Sequence, residues 1–255
     1  MSKRIALQLY SLREYVGEDP VAMLRKVKES GFNAVEFAGY YGFEAAELRA
    51  HLDEIGLEPL SSHVQFDLLA EKLDEVVEFS RTLGLKYVIC PFAKIETVED
   101  AKAVAEVLNR AHEAFKPHGI KVGYHNHHFE FNQVDGRYLM DHLRDAYQYD
   151  DMIMEVDTCW ARYAGVNPAE YIDTLGDVSG PTHLKELGKN FKPGSKEDLD
   201  VQIGKGIVDF KAVLATLDKN GTLDRGVVVE QEGFEGDPYE DLRLGVEHIL
   251  SVWPN

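Results

Sequence analysis

The sequence predicts an α/β protein folded as a single (β/α)8 barrel over residues 1–255. Two observations carry that expectation: eight short apolar runs alternate with amphipathic helical patterns, and a glycine repeatedly marks the joint from helix to strand. The runs lie near 5 to 10, 33 to 38, 57 to 63, 86 to 91, 121 to 126, 152 to 157, 180 to 185 and 226 to 231. Most are nearly continuous in hydrophobicity, as in a parallel sheet covered on its outer face, and the number eight implies closure. An open doubly wound sheet would need a glycine-rich phosphate turn after an early strand. Leu9-Tyr10-Ser11-Leu12-Arg13 supplies none.

The helices announce their ends. Asp19-Pro20, Asn167-Pro168 and Asp237-Pro238 each place a side-chain acceptor at an N-cap and a proline at the first helical position. Apolar residues then return every three to four positions, as in Val21, Leu24 and Val27, or Leu69, Leu73, Val76, Val77 and Leu83. Gly31, Gly56, Gly84, Gly119 and Gly221 follow such patterns and precede apolar runs, where a left-handed residue stops a helix. No linker rich in Pro, Gly or Ser interrupts the series, which favours one domain.

Composition narrows the function. Asp and Glu outnumber Lys and Arg by 45 to 27, a net charge of -18, and no basic cluster of five or more appears. Such a chain repels phosphate backbones and anionic membranes, so no nucleic-acid or membrane partner is expected. Cys90 and Cys159 are too few for a disulfide framework, and no signal peptide or membrane-length apolar span is visible, so a cytoplasmic protein is expected.

In a barrel of this kind the active site lies at the carboxyl ends of the strands. Those ends are polar and metal-prone: Gln8 and Tyr10, Glu36, His63, Cys90-Pro91, the run His125-Asn126-His127-His128-Phe129-Glu130, Glu155-Val156-Asp157, His183-Leu184-Lys185-Glu186, and Glu230-Gln231-Glu232. Taken singly, each residue has an ordinary structural account. Cys90 reads as a small apolar filler, and a lone histidine is more often a hydrogen-bonded core residue than a ligand. Together, acidic and imidazole groups would converge in one mouth, where carboxylates repel unless a cation neutralises them.

These residues resemble the sugar phosphate isomerase/epimerase superfamily, the xylose isomerase-like TIM barrels. The resemblance spans essentially the whole chain, and its more specific pieces are Asp157-Thr158-Cys159-Trp160, His183-Leu184-Lys185-Glu186 and Gly204-Lys205-Gly206-Ile207-Val208-Asp209-Phe210. It implies one divalent metal ion held by Asp157, His183, Glu230 and a first carboxylate ligand. Glu232, on the same strand face as Glu230, is the substitute if the register differs. The superfamily's glutamate at the end of strand five is replaced by His125. Glu130, folding back from the loop, is favoured over His125 as that first ligand. Trp160 stands where the ketose epimerases carry a substrate-contacting histidine.

Carboxylate and imidazole ligands suit Mn(II), with Mg(II), Co(II) and Zn(II) as alternatives. The resemblance implies proton abstraction next to a carbonyl of a sugar or keto-sugar, through an enediolate, with His125 or His127 and Lys185 as acid and base. Glu36, His63 and Trp160 are expected to contact substrate. Isomerisation or epimerisation leads. Beta-elimination from an inosose or 3-keto-sugar shares the first step, and a non-catalytic sugar-binding barrel is the reading of a different class. A phosphodiesterase is disfavoured by the acidic charge and by too few strand-end histidines for a multinuclear zinc site. The polar stretch from Gly188 to Gly206, with Lys189, Lys192, Lys196 and Lys205, suits a loop over the substrate. The superfamily also suggests a homo-oligomer.

Overall fold

All eight expected strands form, each shorter than the apolar run that announced it. In the computed structural model, which describes residues 3–192, 199 and 201–254, they are β1 (Ile5–Gln8), β2 (Ala34–Phe37), β3 (Glu58–His63), β4 (Tyr87–Cys90), β5 (Lys121–His125), β6 (Ile153–Glu155), β7 (Thr182–Leu184) and β8 (Val227–Val229). The polar ends of the runs turn away into loops. Gln8 shows how: its side-chain oxygen accepts from the Tyr10 N–H at 2.9 Å and starts a 3-10 turn over Leu9–Leu12.

The strands are parallel in the order β6-β5-β4-β3-β2-β1-β8-β7. Two isolated parallel bridges, Met154 with Ser179 and Asp157 with His183, join the outer pair β6 and β7 and bring the sheet nearly to closure. Helices fill the connections and end as expected. Asp19, Asn167 and Asp237 cap helices that begin at Pro20, Pro168 and Pro238. Gly56 and Gly84, at φ of 77° and 82°, close the helices Ala45–Ile55 and Leu73–Leu83 in the left-handed region that a β-carbon disfavours.

Alternation along the strands separates two cores and creates the site. Leu7, Val35, Val88, Val122, Met154 and Val229 face outward and join the large cluster under the helices. Ala6, Ala34, Leu60, Tyr87, Ile89, Ile153 and Val228 face inward and plug the barrel. Two residues beyond Ala6, Ala34, Ile153 and Val228 the same inward face presents Gln8, Glu36, Glu155 and Glu230. The apolar plug thus becomes the floor under a layer of buried ionisable groups.

Gly123 fits this narrowing interior because it lacks a side chain. A β-carbon there would stand 2.4 Å from the Ile153 carbonyl oxygen and 2.7 Å from both Ile153 Cβ and Ile89 Cδ1. Gly123→Ala is therefore expected to destabilise the fold by about 1–3 kcal/mol through overpacking. A urea midpoint no lower than the parent's would contradict this placement.

Candidate active site

Four carboxylates meet at the carboxyl-terminal mouth, and each is buried. Glu36 is wholly enclosed: Gln8 Nε2 donates to its Oε1 at 2.7 Å, Ser61 Oγ donates to its Oε2 at 2.6 Å, and His183 Nε2 lies 2.6 Å from Oε1. Burial works to raise its pKa, but the His63 and His183 imidazoles outweigh that and bring it to about 2. Glu155, enclosed beside it, has the opposite fate. Burial and then the Glu36 charge raise it to about 7. One of its oxygens, Oε1, has no hydrogen-bond partner.

Asp157 and Glu230 flank the other side of His183. Asp157 Oδ1 accepts from the Trp160 N–H at 2.8 Å and caps the helix Thr158–Tyr163, while Oδ2 is buried without a partner. Burial raises Asp157 to about 6; Lys185 opposes that shift and Glu230 adds to it. Glu230 Oε2 lies 2.9 Å from His183 Nδ1, and Lys185 Nζ donates to Glu230 Oε1 at 3.2 Å. Burial would raise Glu230; Lys185 and His183 hold it well below the ordinary carboxylate range.

Two sets of side chains each bring one potential ligand atom per residue within 4.8 Å of one another: Asp157, His183 and Glu230 form one, and His63, His125, Glu155 and His183 the other. The partnerless, buried Asp157 Oδ2 and Glu155 Oε1 fit a cation, since a buried acceptor left without a donor is costly. Asp157, His183 and Glu230, expected as ligands, thus stand together. Glu130 does not join them. The 3-10 turn Phe129–Phe131 carries it to the back of the loop, where its oxygens accept from Tyr124 Oη at 2.8 Å and the His127 N–H at 2.9 Å. Its carboxylate holds the loop in shape, and His125 is the group that reaches the inner set.

Above the carboxylates lies a cavity of about 310 Å³, bordered by His63, His125, His127, Lys185 and Glu230, with Trp160, Phe92 and Tyr10 as aromatic walls. Its size lies at the small end of ligand sites. His63 and Trp160 border it as expected of substrate contacts. Glu36 does not, because its carboxylate is committed to Gln8, Ser61 and His183 below. His127 is lowered to about 4, chiefly by burial, and its Nδ1 has no partner, so a neutral imidazole faces the cavity. Burial and the neighbouring His183 and His63 charges lower His125 well below its ordinary value. Lys185 is the converse: burial opposes its charge, but Glu230, Asp157 and Glu232 keep it an ammonium. It also lies 5.5 Å over the Trp160 ring. Glu232, the substitute ligand, is instead paired with Lys185 and Arg13.

Short polar staples set these positions. Asn126 Oδ1 accepts from the Asp157 N–H at 3.1 Å, joining the ends of β5 and β6. Thr158 Oγ1 lies between the carbonyls of His183 and Lys185 at 3.0 and 2.8 Å. Glu186 accepts the N–H groups of Leu187, Gly204 and Val208, anchoring both ends of the long loop after β7. Lys189 and Lys205 of that loop border a separate cleft with Glu235 and Asp241, away from the cavity. Lys192 is exposed, and Lys196 lies outside the described residues.

Residues 24–252 of the chain match the family model of the xylose isomerase-like TIM barrel. The chain belongs to the xylose isomerase-like TIM barrel family. It is similar to a sugar phosphate isomerase/epimerase from Parabacteroides distasonis ATCC 8503, with 24% identity and a TM-score of 0.80 over 97% of this chain and 93% of that one. Inosose dehydratase of Geobacillus kaustophilus is 24% identical over 277 residues, covering 93% of this chain and 88% of its own. The IolI protein, whose structure has a bound zinc atom, shares 17% identity with a TM-score of 0.78 over 98% and 97% of the two chains. The family thus includes isomerases, epimerases and a dehydratase. Among the described residues, no helix is long and apolar enough to cross a membrane.

The raised carboxyls of this family member make stability depend on pH. Asp157 at about 6 and Glu155 at about 7 keep protons that the unfolded chain releases near pH 4. These two carboxyls by themselves make the native state bind more protons between about pH 4 and 7, so their contribution to stability falls as pH rises through that window, whereas His125 and His127, held below their ordinary range, contribute in the opposite sense. The urea midpoint of metal-free Glu155→Gln, measured against the parent, should therefore rise from pH 5 to pH 7.5, because the variant lacks a carboxyl whose ionisation burial penalises. A midpoint difference that falls over the same interval would contradict the raised Glu155. Glu130→Gln should lower stability by about 1 kcal/mol through its weakened loop contacts yet leave the divalent-metal content unchanged.

Proposed function

We propose that the chain, acting as one barrel domain, is a divalent-metal-dependent isomerase or epimerase of a small sugar or keto-sugar. The observation that carries this reading is the meeting of Asp157, His183 and Glu230 beneath a cavity with a neutral imidazole on one wall and a buried ammonium on another. Oxygen and imidazole donors suit Mn(II), with Mg(II), Co(II) or Zn(II) as alternatives. A divalent ion held by Asp157, His183 and Glu230 supplies Lewis acidity, which lowers the cost of removing a proton next to a carbonyl.

The chain's own groups do the remaining work. Trp160 offers a flat apolar face to one side of a sugar ring, and Phe92 and Tyr10 narrow the entrance. His127, a neutral imidazole on the cavity wall, accepts the proton; His125, equally neutral but bonded to Glu155, is the alternate base. Lys185 stabilises the negative charge that develops on a substrate oxygen. Glu230 and Glu232 fix its ammonium between them.

Elimination of water from an inosose or 3-keto-sugar is the second reading. It is favoured by the similarity to inosose dehydratase and by Trp160, which stands where a ketose epimerase would place a histidine. Both reactions begin with loss of the same proton. Incubation in deuterated water separates them: solvent deuterium in an isomeric sugar supports the first, and an unsaturated product supports the second. Chelation should abolish either activity, and His127→Ala should lower kcat by about 10²–10⁴-fold if it is the base. Failure of metal-loaded protein to exchange protons with ketoses, inososes and 3-keto-glycosides would instead favour a sugar-binding barrel without catalysis.

A further inference from the structure

The floor of the cavity holds more ligand atoms than one mononuclear site uses. We infer that His63, His125, Glu155 and His183 form a second, inner divalent-cation site that shares His183 with the Asp157, His183 and Glu230 set at the mouth. This goes beyond the proposed reaction and does not require it.

The set is compact enough for one ion, its four ligand atoms lying within 4.8 Å of one another. His63 Nε2 and His183 Nε2 lie 3.1 and 2.6 Å from Glu36 Oε1, and three imidazole nitrogens also gather around one oxygen of Glu155: His63 Nε2 at 2.7 Å, His125 Nδ1 at 3.2 Å and His183 Nε2 at 3.3 Å from Oε2. The other oxygen, Oε1, is buried and receives nothing. Ligands about 2.1 Å from one tetrahedral ion stand about 3.4 Å apart, close to two of these three separations. The rings are also fixed: His63 and His183 stack in parallel with centroids 5.2 Å apart, and His125 meets His183 at 4.5 Å.

Charge supports the same assignment. Glu36 and Glu155 are both wholly buried, whereas the ammonium of Lys185 is directed to Glu230 and Glu232. A dication among the three imidazoles would compensate the buried carboxylates. His63 and His125 border the cavity, which gives the ion a route in. His183 serves the mouth through Nδ1 and the inner set through Nε2. Filling both sites would require His183 to offer both ring nitrogens, so both of its ring protons would pass to solvent and the Nε2 contact with Glu36 would be given up.

Crystals of the full chain soaked in Mn(II) or Zn(II) test the inference without a variant. Anomalous maps should show two peaks, one on each side of the His183 ring, and metal analysis in solution should give about two equivalents. Glu155→Gln and His63→Ala should each lose the inner equivalent and keep the mouth peak. A single peak between Asp157, His183 and Glu230 would overturn the inner site and leave the proposed reaction standing. A single peak at the inner set, lost in Glu155→Gln, would support the inner site and remove the mouth ligands from the proposed mechanism. Absence of bound ion at either set would overturn both.

Discussion

Repulsion among buried carboxylates is the constraint on which the rest of this molecule depends. Glu36, Glu155, Asp157 and Glu230 lie together at the top of the barrel with almost no access to water. Two like charges about 4 Å apart cost on the order of 4 kcal/mol at the effective dielectric of a protein surface, and more when deeply buried. His183 and Lys185 offset part of that. The raised Glu155 and Asp157, each with an oxygen that nothing satisfies, mark the part left over.

The barrel can hold such a layer because of what lies under and around it. The apolar plug of Ala6, Ala34, Ile153 and Val228 seals the floor, and side-chain alternation lifts the charged residues onto it. Asn126 and Thr158 then fix neighbouring strand ends, so that Asp157, His183 and Lys185 hold their spacing. Glu130 and Glu186 bind loop N–H groups, and neither takes part in the cluster. Carboxylates thus serve two ends here: some shape loops, and others gather in a buried layer at the mouth, where Glu230 borders the cavity.

The sequence was most readable where one physical rule acted alone. Continuous apolar runs marked all eight strands, and the Asp-Pro and Asn-Pro pairs marked helix starts, because neither depends on distant partners. Asp157, His183 and Glu230 were readable from their strand ends and their resemblance to a known family. Glu130 was misplaced because spacing does not say which way a loop turns, and a 3-10 turn aims it at Tyr124. Glu36 looked like a substrate contact because the register that sinks it under His183 is a tertiary property. Glu155 was not singled out, although it lies two residues before Asp157 and is buried in the same layer. The histidines were undercounted for the same reason, since strands three, five and seven bring His63, His125 and His183 onto one carboxylate.

The central claim is that the buried carboxyl layer is completed by divalent cation, and proton release tests it most directly. Calorimetric titration of metal-free protein with Mn(II) near pH 5.5, in two buffers of different ionisation enthalpy, counts the protons expelled on binding. Because Asp157 and Glu155 hold protons at that pH, uptake of the ion should release about one proton or more per chain, falling toward zero for the carboxyls as pH approaches 8. Tight binding with no proton released at pH 5.5 would contradict the account, because the ion would then be held somewhere other than these carboxylates.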